Sequence, residues 1–106
     1  MMWLAFTEGW LSIVAHRSKP DMLLVRARQE RTIPRIFGKG VMFTDPTADY
    51  LYRAEIPREK VIEVVSKRFN DMQYDNFKNT ISDIEYANAC MDVWHIMFGL
   101  QRGVYK

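Results

Sequence analysis

The sequence predicts an α+β fold: an antiparallel sheet of about four strands, made of a β-hairpin and a meander, covered on one face by two or three C-terminal helices. Three observations carry that expectation. The first half of the chain alternates apolar and polar residues with a period of two, and the second half repeats its apolar residues every three or four positions. Gly, Pro and Asp fall between these runs more than inside them. The order of elements, strands first and helices later, is that of a layered sandwich. With 106 residues there is room for one core, so a single domain over residues 1–106 is expected.

The elements follow in order. Residues 2–6 read as a strand and Thr7-Glu8-Gly9 as its turn, since Gly9 tolerates a positive φ. Residues 10–16 alternate, with Leu11, Ile13 and Ala15 on one face and Trp10, Ser12, Val14 and His16 on the other, which makes a hairpin with the first strand. Residues 17–21 form a loop through Pro20 and Asp21. Residues 22–28 are a third strand, in which Leu23, Val25 and Ala27 oppose Met22, Leu24, Arg26 and Arg28. A short helix is expected within 29–37, limited by Pro34 and ended at Gly38-Lys39-Gly40, with a brief strand at 41–44. Residues 50–56 alternate again, setting Tyr50, Tyr52, Ala54 and Ile56 opposite Leu51, Arg53 and Glu55.

Pro57 suits the first position of a helix, where its missing N–H costs nothing. Val61, Ile62, Val65, Phe69 and Met72 then recur at helical spacing, up to Asn70-Asp71. Tyr74, Phe77 and Ile81 indicate a further short turn or helix through Ser82. Ser82-Asp83-Ile84-Glu85 has the form of a capping box. Behind it Ile84, Ala87, Met91, Trp94 and Phe98 draw an apolar stripe, weakened at Gly99 and ended at Gly103.

Composition excludes several classes. Hydrophobic residues make up 48% and charged residues 26% of the chain, ordinary for a globular protein and unlike a disordered one. The one cysteine, Cys90, forbids an intrachain disulfide. The opening residues lack the basic and apolar regions of a signal peptide, and no window has the roughly 18 apolar residues of a membrane span, so a cytoplasmic protein is expected. Catalytic signatures are also missing. Gly38-Lys39-Gly40 lacks phosphate-loop spacing. Cys90 and His95, five apart on a helix, point away from each other, which argues against a metal site and leaves a Cys–His pair only if His16 reaches Cys90 from the hairpin. No cofactor and no metal is expected.

Charge is distributed unevenly. Residues 1–40 hold Arg17, Lys19, Arg26, Arg28, Arg31, Arg35 and Lys39 against Glu8, Asp21 and Glu30, within a formal net charge of +2. Alternation places Arg26, Arg28, Arg53 and His16 on the sheet face away from the core, where guanidiniums would bond phosphate or carboxylate bidentately. The competing expectation pairs them with Glu55, Glu30 or other nearby acids.

Five pieces of the chain resemble a family of short uncharacterised proteins from bacteria and phages: Met2-Trp3-Leu4-Ala5-Phe6, Gly9-Trp10-Leu11-Ser12-Ile13-Val14, Asp49 to Ala54, Tyr74 to Lys78, and Cys90-Met91-Asp92-Val93-Trp94. The family's forms are MW-L-F…G-x-x-S-V-V, D-Y-x-Y-R-A and Y-x-N-F-K, and Ala5 departs from them in the first strand. The resemblance spans most of the chain and implies the α+β fold and the domain boundaries, but no reaction.

Tyr52, Arg53, Asn76 and Lys78 would line a small polar pocket if the sheet and the Tyr74 segment meet, with Tyr50 or Tyr74 stacking on a base. Alternatively Tyr74 and Phe77 are core anchors, Asn76 a cap and Lys78 solvated. Three functions stay open. The leading one is a non-enzymatic binding or regulatory protein acting by protein–protein contact, such as a phage or mobile-element accessory inhibitor of a host defence system, recognisable by an exposed apolar patch with a charged rim that involves Trp3, Trp10 or Tyr105. The second is nucleic-acid or nucleotide binding through the Arg-rich face, and the third a small enzyme using Arg53, Lys78 and a Tyr. The expected partner is another protein, with nucleic acid as the alternative and a homodimer also open. No membrane partner is expected.

Overall fold

A computed structural model describes residues 1–106 apart from the side chain of Lys78. The fold is α+β, with a five-stranded antiparallel sheet and three helices. The chain forms two compact units, Met1–Gln73 and Tyr74–Lys106.

The first unit holds the whole sheet. Strands β1 (Met2–Phe6), β2 (Gly9–Ala15), β3 (Met22–Ala27), β4 (Phe43–Thr44) and β5 (Tyr52–Pro57) lie in the order β1-β2-β3-β5-β4. The alternation described above fixes the register: Leu4 faces Leu11, Leu11 faces Ala27, Val25 faces Ala54 and Leu23 faces Ile56. Directly opposed residues share a face, so these make one apolar side. Helices α1 (Thr32–Phe37) and α2 (Arg58–Asn70) pack on it through Ile33, Ile36 and Val61.

Local chemistry sets the boundaries. Helix α1 is shorter than the expected 29–37, and Pro34 sits in its first turn, where no backbone donor is needed. Gly38, at φ +96, stops it. The fifth strand starts at Tyr52, two residues later than expected. Pro57 is the N-cap of α2, with φ −53 and ψ 136, and is at once the last residue of β5. Its extended ψ turns strand into helix within one residue, and the Arg58 N–H donates to the Asp21 carbonyl.

The buried stripe of α2 is narrower than the sequence indicates. Val61, Val64 and Val65 meet the core, whereas Ile62, Phe69 and Met72 are exposed. Arg68 continues the inner face, where its guanidinium bonds the Glu8 carboxylate and lies over the Phe6 ring.

The second unit is a 3₁₀ turn, Phe77–Thr80, and helix α3, Ile84–Gln101. Its N-cap is Asp83 and not Ser82 as the capping-box form implies: the Asp83 carboxylate accepts from the Glu85 and Tyr86 amides. The helix runs through Gly99 and ends in a Schellman arrangement. The Gly103 amide donates to the Leu100 carbonyl and the Val104 amide to that of Gly99, with Gly103 at φ +79. A Cβ on Gly99 would come within 3.3 Å of the Tyr105 ring, so glycine there leaves room for the chain to fold back.

Candidate functional site

The face of the sheet away from α1 and α2 carries the chemistry. Register sets Trp3 opposite Ser12, Ser12 opposite Arg26, Arg26 opposite Arg53 and Arg53 opposite Phe43. These five residues therefore form one transverse row across all five strands.

The centre of the row is a cluster of guanidiniums around Tyr50. Arg26 donates to the Ser12 hydroxyl at 2.6 Å, and its guanidinium carbon stands 4.6 Å from the centre of the Tyr50 ring. Arg28 lies 3.8 Å from that centre and donates to the Asp49 carbonyl. Arg53 donates to the Tyr50 carbonyl and approaches the Asp49 carboxylate at 3.9 Å. Tyr50 is only 5% exposed and belongs to this cluster. The alternation across 50–56 predicts it beside Tyr52 on the opposite face. Because β5 begins at Tyr52, that alternation does not extend to Tyr50.

The three arginines do not pair with Glu55 or Glu30. Glu55 is taken by His16 at 3.0 Å and by Lys19 at 3.2 Å, and these bonds, His16 first, hold its carboxyl below the usual glutamate range. The Ser18 and Lys19 amides both donate to His16 Nδ1, so the ring proton belongs on Nε2, which donates to Glu55. The neighbouring carboxylate of the cluster is thus Asp49, which is largely exposed and 3.9 Å away. Arg26 Nε is buried and has no hydrogen-bond partner among the described residues. Three fixed cations facing one weakly held carboxylate leave a net positive centre.

The other expected site residues lie elsewhere. Tyr52 takes the core face of β5, back to back with Arg53, so the two cannot line one pocket. Asn76 is an exposed residue of the second unit, and the Lys78 side chain lies outside the described residues. An open depression of about 480 Å³ beside α1, lined by Glu30, Arg31, Lys39 and Met42 among others, was not anticipated from the sequence. Burial pushes the Cys90 thiol above its ordinary value, the direction opposite to an activated nucleophile. Among the described residues no three His, Cys, Asp or Glu side chains converge on one point. No helix is long and apolar enough to cross a membrane.

The second unit offers a different surface. In the C-terminal half of α3 and just beyond it, Trp94, Ile96, Met97, Phe98, Leu100, Val104 and Tyr105 are each 40–70% exposed. At 100° per residue the five helical members cover an arc of about 200°. The expected stripe through Trp94 and Phe98, its two rings stacked at 5.3 Å, is thus one edge of a much wider apolar surface centred near Met97.

No protein-family model, curated protein or solved structure matches the chain.

Proposed function

We propose that this chain is a non-enzymatic binding module that works by contact with another protein, through the C-terminal half of α3. The exposed apolar surface of that helix carries the reading. Its seven large side chains expose on the order of 800 Å², about the area one partner contributes to a standard protein–protein interface. The segment holds a single strong charge between Trp94 and Tyr105, Arg102, so a complementary partner offers an uncharged apolar surface. A small regulator that blocks a host component needs no more chemistry than this.

The test compares the full chain with a Trp94→Ser/Leu100→Ser variant, whose changes lie at exposed positions and leave the cap and the Schellman turn intact. Light scattering after gel filtration and pull-down with nuclease treatment read the outcome. A stoichiometric protein, or a second copy, held by the parent chain and lost with the variant supports the proposal. A monomeric parent chain that captures nothing, or capture that the variant leaves unchanged, overturns it.

A further inference from the structure

We propose that the open face of the sheet binds single-stranded nucleic acid, with Trp3 and Phe43 as stacking surfaces and the Arg26–Arg28–Arg53 cluster as the phosphate-binding centre. The transverse row is the basis. Its two ends are aromatic and open, Trp3 at 58% and Phe43 at 45% exposure, while its middle is cationic. Strands about 4.8 Å apart put some 19 Å between the two ends, room for a short run of nucleotides crossing the strands.

Each chemical feature of a single strand has its counterpart. Bases present π-faces, which exposed rings accept irrespective of sequence. The Trp10 ring lies 5.9 Å from that of Trp3 and is tilted by 54° to it, while Trp3 stays 58% exposed and open to stacking. Phosphates call for guanidinium groups. Arg28 is exposed, and its stack on Tyr50 already restricts it, so less side-chain freedom is lost on bonding an oxygen. Arg53, with a side chain 14% exposed, and half-buried Arg26 add fixed positive charge from beneath. Glu55, on the same face, is ion-paired with Lys19 and hydrogen-bonded by His16, which offsets its charge beside the arginines. An acidic peptide would use the cations and leave both aromatic ends idle, and a duplex would hide the base faces the rings need.

The experiment measures anisotropy of fluorescein-labelled oligothymidine and oligouridine of about 12 nucleotides, and of a duplex of the same length, with the full chain. Salt is varied between about 50 and 200 mM. The expected result is single-strand binding that falls steeply with salt and exceeds duplex binding. Trp3→Leu and Phe43→Leu should each weaken it roughly tenfold, Trp3→Tyr should retain it, and circular dichroism checks the fold of every variant. Trp94→Ser/Leu100→Ser should bind oligonucleotide like the parent chain, which separates this site from the protein-contact surface. No binding at the lowest salt, equal affinity for duplex, or parent-like affinity in both leucine variants overturns the proposal.

Discussion

Gly9 and Thr32 meet at a point where a single atom decides the packing. Gly9 is buried at φ +152, and a Cβ there would collide with the Thr32 side chain. Gly9→Ala combines that collision with backbone strain, so chemical denaturation should show a loss of about 2–4 kcal/mol. Thr32 itself is 1% exposed, and its hydroxyl has no hydrogen-bond partner among the described residues. Replacing the hydroxyl with a methyl of similar size removes an unsatisfied polar group, so Thr32→Val should raise stability by roughly 1 kcal/mol, and a loss would reveal a partner for that oxygen. The sequence marks Gly9 as a turn residue and gives no sign of Thr32, because the pair is 23 positions apart and only the fold joins them. Glu55 supplies a pH dependence. Its folded value lies below the ordinary 4.5, so its stabilising effect is complete above 4.5 and is lost as pH falls through the lower folded value. Melting temperatures of the parent chain and Glu55→Gln should therefore differ near neutrality and converge on acidification. A gap that persists at the acid end would detach the effect from the carboxylate.

At the level of elements, the ends of α3 are fixed by separate devices. Asp83 satisfies two amide donors at the start, so Asp83→Ala should cost about 1 kcal/mol of local helix stability, whereas Ser82→Ala should cost little. Amide exchange at Glu85 and Tyr86 reads this directly, and it should quicken by about fivefold in the Asp83 variant alone. Equal acceleration in the Ser82 variant would restore the capping box. The case shows what local pattern can resolve. A period of two marked β2, β3 and β5 and placed Arg26 and Arg53 on one face, because a half-buried strand must alternate. Pattern failed at the ends of elements, where one residue's ψ or one side-chain oxygen decides. Tyr50 is the clearest instance: an alternation extended two residues too far put it on the wrong face, and with it the ring that organises the arginines. In α3 the spacing marks only a narrow stripe, since spacing alone does not show how many of the intervening apolar residues find cover.

For the whole molecule, the distribution of burial separates the two units. The core cluster runs from Leu11 to Val61 and lies wholly within residues 1–73, together with all five strands. Among the described residues of 74–106, one hydrophobic side chain is buried, Tyr86. Chains below about 40 residues seldom bury enough apolar surface to fold without a metal, a disulfide or a partner, and an isolated helix of this length is marginal in water. A fragment of residues 1–73 should therefore keep its β-signal and unfold in a cooperative thermal transition. A peptide of residues 74–106 should be weakly helical, without a cooperative transition, and, on the proposed function, should gain helix when a protein captured by the full chain is added. A fragment 1–73 that fails to fold would mean that the core of the sheet is incomplete without the remaining residues. A peptide that forms α3 fully on its own would remove the need for a partner, and with it the thermodynamic reason for an apolar surface of this size on a protein in water.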